Sequence, residues 1–221
     1  MNSITNTLKQ IKLFRFTLIF STFLVLTSFL CLEGSNELKF GKKIPLTDKQ
    51  LKNIDNSLLS LNDLKKENGL IIVFSCNTCP FVVGNEDFAG WENQYNDLYQ
   101  KAEEKGLGLV LINSNEAKQD GDDSLDEMKL HARKAGYKMP YLVDENSELA
   151  DAYGAKTTPH VFVVNNENEL VYRGSIDNLW DTKRTELEPY LYNVMNHLGD
   201  KTELKNNDTP PRGCSIKRMK N

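Results

Sequence analysis

The sequence predicts an α/β fold, a central mixed β-sheet flanked by helices. Three observations carry this reading. Leu70-Ile71-Ile72-Val73-Phe74 is an unbroken apolar run with β-branched residues, the pattern of a central strand buried on both faces. Further apolar runs alternate with segments of helical period. Near the end, Val161-Phe162-Val163-Val164 and Leu170-Val171-Tyr172-Arg173 flank the turn residues Asn165 to Asn168 and read as a β-hairpin.

The elements follow in order. Residues 36–54 are polar and loop-like, with Pro45 among them. Leu58-Leu59-Ser60-Leu61 leads into Asn62-Asp63-Leu64, a short strand or a helical turn. Asn68-Gly69 is a tight turn before the central strand. From Cys79 to about Lys105 the chain reads as helix. Pro80 falls in its first turn, where a missing N–H matters least, Gly84 is a point of interruption, and Gly106 is a stop. Leu107 to Ile112 is a second buried strand, followed by the polar loop Asn113 to Asp123. Leu125, Met128, Leu130 and Ala132 mark a helix that ends near Gly136. Tyr141-Leu142-Val143 is a short strand, and Ser147 to Tyr153 a small helix closed by Gly154. After the hairpin, Thr182 to Leu198 reads as an amphipathic helix with Leu187, Tyr190, Leu191 and Val194 on one side. Everything beyond Asp200 is polar, contains Pro210-Pro211, and reads as an irregular tail.

Charge and hydropathy divide the 221 residues into three parts: 1–35, 36–200 and 201–221. Phe16 to Leu32 is almost continuously apolar and follows Lys9, Lys12 and Arg15, the layout of an export signal or an uncleaved N-terminal membrane anchor. Cys31 is a place where a lipid would be attached in a lipoprotein signal, although Phe29-Leu30 fits that pattern poorly. The expected location is therefore outside the cytoplasm, in the periplasm or cell envelope, either free or held at the membrane. The formal net charge is −4 and the first segment carries about +2, so the remainder is near −6, which argues against nucleic acid as a partner.

The chemistry concentrates in Cys76-Asn77-Thr78-Cys79-Pro80, directly after the central strand. Two cysteines three apart sit one helical turn from each other, close enough to bridge. A cysteine at the helix start, expected to be Cys76, gains from unpaired N–H groups that favour its thiolate. A zinc site would need two more close-set ligands, and His131, His160 and His197 are scattered without ligand spacing. A purely structural bridge would close too short a loop to stabilise much. His160 reads as a surface histidine. No buried proton acceptor for the pair is visible. Of four cysteines, Cys214 remains over in the exported part, either incidental or able to reach the pair from a flexible tail.

Strands and helices in this order, with Cys-x-x-Cys at the first strand-to-helix junction, resemble the thioredoxin fold. Leu59-Ser60-Leu61-Asn62-Asp63-Leu64, the inserted helix Ser124 to Gly136, and Tyr153-Gly154-Ala155-Lys156-Thr157-Thr158-Pro159 are similar to the redoxin branch, the alkyl hydroperoxide reductase/thiol-specific antioxidant superfamily. Cys-Asn-x-Cys-Pro with Gly213-Cys214-Ser215-Ile216-Lys217 resembles a poorly described subgroup of it. The resemblance implies a cis Pro159 beside the cysteine pair, with the Thr158 backbone binding extended substrate. Cys76, at the helix start and the more exposed of the pair, is expected to attack a disulfide and Cys79 to resolve the mixed disulfide, while Cys214 is either incidental or a further resolving or relay thiol.

The implied activity is that of an exported thiol-disulfide oxidoreductase without cofactor or metal. Its partners would be disulfide or dithiol proteins or small thiols, with an unidentified electron donor. Two other readings stay open. A thiol peroxidase of this superfamily would carry a Pro and a Thr just upstream of its reactive cysteine, and Ile71 to Ser75 has neither. A copper-binding chaperone of thioredoxin fold would need a His placed to join two thiolates.

Overall fold

The structure is a computed structural model that describes residues 38–219. The expected export segment, with Cys31, lies outside the described residues. Among the described residues no helix is long and apolar enough to cross a membrane.

Seven strands form one mixed sheet: β1 (Leu51–Asn53), β2 (Leu58–Leu59), β3 (Gly69–Ser75), β4 (Leu107–Asn113), β5 (Tyr141–Val143), β7 (His160–Val164) and β8 (Leu170–Gly174), ordered β2-β1-β5-β4-β3-β7-β8. The β3–β4 and β4–β5 pairs are parallel, and the others are antiparallel. β3 and β4 are buried along their whole length, which accounts for their unbroken apolar character. A separate two-stranded ladder joins β6 (Thr157–Thr158) to β9 (Cys214–Ser215).

The helices are α1 (Leu61–Leu64), α2 (Pro80–Val83), α3 (Tyr95–Glu104), α4 (Leu125–Ala135), α5 (Glu148–Tyr153) and α6 (Tyr190–Asp200). Alternation along β3 divides the core between the two faces of the sheet. Ile71 and Val73 pack with Trp91, Leu98, Met128, Val194 and Met195. Ile72 and Phe74 pack with Leu61, Leu149, Tyr153, Phe162 and Ile216. Local signals account for the helix ends. Ser60 and Asp63 form a capping box at α1, Ser124 accepts from the Glu127 N–H at α4, and Gly136 and Gly154 close α4 and α5 in the left-handed conformation.

Five expectations are corrected. Leu51–Asn53 is a strand rather than loop, because its backbone pairs with both β2 and β5, and three residues are too few to show a period. The helix expected over Cys79 to Lys105 is two helices. Gly84 ends α2, and the intervening loop packs Phe81, Phe88 and Trp91 together. The last helix begins at Tyr190, since Pro189 disfavours helix at the residue before it; Leu187 is exposed accordingly. The segment after Asp200 is a strap bound to the domain rather than a loose tail. Within α4, Leu130 also faces solvent instead of the core.

Candidate functional site

The site is built where β3 ends. The chain leaves the sheet at Ser75, turns through Cys76-Asn77-Thr78, and enters α2 with Cys79 as N-cap and Pro80 as first helical residue. It is therefore Cys79, not Cys76, that stands at the helix start. Cys76 is also not the more exposed of the two, for both thiols are buried behind the exposed Thr78.

Thr158 touches both sulfurs. Its hydroxyl shares a hydrogen bond with Cys76 Sγ at 3.1 Å, and its carbonyl accepts from Cys79 Sγ at 3.0 Å. The Thr158–Pro159 peptide is cis. From the other side the Cys214 N–H donates to Cys79 Sγ at 3.4 Å. The structure thus gathers Cys76, Cys79, Thr158 and Cys214 at one place, with Pro159 beside them.

These contacts split the two thiols. Hydrogen bonding from the Cys76 thiol, and then from the Cys214 thiol and N–H, holds Cys79 below the usual thiol range, at about 5. Cys76 is pushed far up by its bond to Cys79, by burial and by the nearby Asp123 charge. Burial and the bond to Cys79 push Cys214 up to about 11. In this geometry Cys79 is the donor to the Thr158 carbonyl; on ionising it gives up that bond, and the Cys76 thiol and the Cys214 N–H remain to hold the thiolate.

Sequence reasoning missed the support beneath the pair. Asp123, fully buried, accepts from the Asn77 N–H and from Asn113 Nδ2 through Oδ1, and from Asn115 Nδ2 through Oδ2, each at 2.9 Å. The Tyr141 hydroxyl donates to Asn77 Oδ1 at 3.0 Å and accepts from Asn113 Nδ2 at 3.0 Å. This network fixes the turn that carries Cys76. One signal was available: β3 and β4 are parallel and in register at Ser75 and Asn113, so the loops that follow them must lie side by side.

His160 is buried, not at the surface. Its Nδ1 accepts from the Lys156 N–H, and burial with the positive charges of Arg173 and Lys156 pushes it down to about 3. Among the described residues no group of three or more His, Cys, Asp or Glu side chains is placed to hold a metal ion.

The strap runs from Lys201 over the edge of β8 and across the site. The Arg173 N–H donates to the Asn207 carbonyl and the Thr209 N–H to the Arg173 carbonyl, both at 3.0 Å. Cys214 and Ser215 then pair with Thr158 and Thr157. Ile216 is buried on the far side of the sheet core, and the Lys217 N–H donates to Asn115 Oδ1 at 2.8 Å.

Two solved structures are similar over most of their length. One is an uncharacterized conserved protein from Geobacillus kaustophilus, 32% identical, with a TM-score of 0.73 over 84% of this chain and 95% of that one. The other is a hypothetical protein from Sinorhizobium meliloti, 27% identical, with a TM-score of 0.70 over 84% and 97%. The thioredoxin domain of a thiol-disulfide oxidoreductase from Bacteroides vulgatus shares the fold at 14% identity and a TM-score of 0.53, over 74% of this chain and 99% of that one. The sequence matches no curated protein. Residues 39–191 match the Redoxin family, and on that match, over the domain that holds the cysteine pair, the chain belongs to the Redoxin family.

Proposed function

We propose that this protein is an exported thiol-disulfide oxidoreductase working through Cys76 and Cys79. One observation carries the reading: the sulfurs of Cys76 and Cys79 both contact Thr158, at 3.1 and 3.0 Å, and Cys214 is the ladder partner of that same residue with its N–H on Cys79 Sγ. Cys79 first loses to solvent the proton it shares with the Thr158 carbonyl, and its thiolate attacks one sulfur of a substrate disulfide. The S–S bond breaks, a mixed disulfide to Cys79 forms, and the other half leaves as thiolate. Cys76 gives up its proton to that leaving group and attacks Cys79 Sγ. The second half of the substrate departs reduced, and the two electrons leave behind a Cys76–Cys79 disulfide. Cys214, whose N–H already touches Cys79, is a second resolving or relay thiol. A dithiol donor must then reduce the enzyme for another turn. The charged and apolar layout of residues 1–35 supports placement outside the cytoplasm, where such exchange persists.

The order of attack differs from the one the sequence suggested, because Cys79 holds the helix start and receives the donors. A thiol peroxidase would use the same Cys79 thiolate, and faster peroxide consumption than a free thiol would identify it. The copper reading asked for a histidine beside the two thiolates, and among the described residues none lines the cleft at the pair.

The test is a redox titration with alkylation trapping and mass spectrometry. A reversible two-electron Cys76–Cys79 couple is expected. If the two thiols stay reduced across the range from about −350 to −100 mV, the proposal fails.

A further inference from the structure

Beside a reactive dithiol, a free strand edge is where an extended polypeptide docks, because its backbone completes the ladder. Here that edge is already taken. Thr157 and Thr158 form β6, and their antiparallel partners are Ser215 and Cys214 of the same chain. The approach is close: a Cβ on Gly213 would lie 2.2 Å from the Thr158 carbonyl oxygen and 2.6 Å from its carbon. Glycine is required there by contact, so the segment is shaped to lie against Thr158. It is held on both sides of the site. Upstream, Thr209 is buried and its hydroxyl accepts from the Ser175 N–H at 3.1 Å. Downstream, Ile216 is buried, its N–H donates to the Lys156 carbonyl at 3.1 Å, and Arg218 pairs with Asp151 at 2.5 Å.

What the strap leaves open is a cleft of about 160 Å³ lined by Cys76, Cys79, Thr158, Cys214, Lys118 and Lys217 among others. That is room for part of a small molecule, not for a polypeptide strand. Among the described residues no Asp or Glu lines it. Lys118 is paired with Asp122 at 2.8 Å, while Lys217, exposed on the strap itself, bonds to the Ser215 hydroxyl at 3.2 Å. Lys118 is thus neutralised by Asp122, and the positive charge at the mouth is that of Lys217.

We infer that the strap makes this site selective for small anionic disulfides and excludes extended protein disulfides. The inference rests on the oxidoreductase reading and names its substrate class. In the exchange, the dianionic disulfide gives one thiolate on attack by Cys79 and the second on resolution, with both electrons supplied by the enzyme's dithiol. Strap and substrate compete for the same backbone edge only when the substrate is a polypeptide.

Single-turnover reduction by the pre-reduced protein separates the cases, with three disulfides of similar size and different charge: dithiodipropionate, bis-hydroxyethyl disulfide and cystamine. Insulin supplies the protein disulfide. The order expected is dithiodipropionate, then the neutral compound, then cystamine, with insulin slowest. Lys217→Glu should narrow the preference for the anion over the cation by about fivefold, the effect of reversing one exposed charge near the mouth. Gly213→Ala, which forces the strap off Thr158, should raise insulin reduction about tenfold or more relative to the small disulfides. Ile216→Asp removes the apolar anchor and should shift the ratio the same way by an independent route. Circular dichroism shows whether each variant is folded. Insulin reduced by the unaltered protein as fast as dithiodipropionate overturns the inference while leaving the oxidoreductase reading intact. Equal rates for the three small disulfides also overturn it. If none of the four disulfides is reduced and no Cys76–Cys79 disulfide forms, the underlying reading fails instead.

Discussion

Replacing Asp123 by Asn tests the support beneath the cysteine pair. The carboxylate is buried and accepts three hydrogen bonds at 2.9 Å, from the Asn77 N–H and the side chains of Asn113 and Asn115. Asparagine keeps the shape but only one acceptor oxygen. If that oxygen faces Asn77 and Asn113, the new NH2 group meets the NH2 of Asn115, donor against donor. One buried bond is lost and two lose their charge-assisted strength, at about 1.5–3 kcal/mol for each bond to a charged group. Relief of carboxylate desolvation offsets part of this. The expected loss of folding stability is about 2–4 kcal/mol. A second readout separates this from mere packing. The Asp123 charge helps to push the Cys76 thiol up, so Asp123→Asn should let Cys76 ionise at lower pH. Urea denaturation followed by tryptophan fluorescence gives the first quantity. The pH dependence of Cys76 alkylation, in a background with Cys79 and Cys214 changed to serine, gives the second. A loss under about 0.5 kcal/mol together with an unmoved Cys76 titration would refute the network's assigned role.

Three further outcomes are expected. In the unaltered protein, thiol alkylation should rise with a midpoint near 5 and level off above it, as the Cys79 thiolate forms; Cys79→Ser should abolish that step, and Cys76→Ala, which removes the thiol that holds Cys79 down, should move it to higher pH. His160 should make the fold acid-sensitive. Its proton affinity falls from an ordinary 6.5 to about 3 on folding, so below 6.5 the unfolded chain takes up a proton that the native one refuses. Stability should therefore decline as pH falls from 6.5 towards 3, by about 1.4 kcal/mol per pH unit from this group, and His160→Gln should flatten the decline in denaturation curves. Gly174→Ala should loosen the strap, since Gly174 has φ +148° and its added Cβ would sit 2.0 Å from the Thr209 hydroxyl oxygen. A stability loss of about 2–4 kcal/mol and faster limited proteolysis after Asp200 are expected; wild-type resistance would count against the close approach.

By itself the sequence determined the central strands, the hairpin, several helix limits and the cysteine pair's position, but not the edge strand Leu51–Asn53. β3 and β4 are buried on both faces and so must be continuously apolar. The limits of α4 and α5 are written in Ser124, Gly136 and Gly154, because a cap is satisfied within a few residues of itself. Cys76 and Cys79 are legible as a close-set pair directly after a buried strand, whereas Thr158 and Pro159 came only from the resemblance to the redoxin branch, since a Pro before a strand by itself reads as an ordinary turn. Only the tertiary structure decided what surrounds them. Asp123 reaches the Asn77 N–H from 46 residues away, and Cys214 reaches Cys79 from 135. The strap binds mainly through backbone groups, which every residue carries, so Asn207 to Ser215 shows no strand period and reads as tail. Which cysteine begins α2, and how deeply each is buried, depends on where the turn is pinned. That is set by a carboxylate in another loop, and no spacing within Cys-x-x-Cys encodes it.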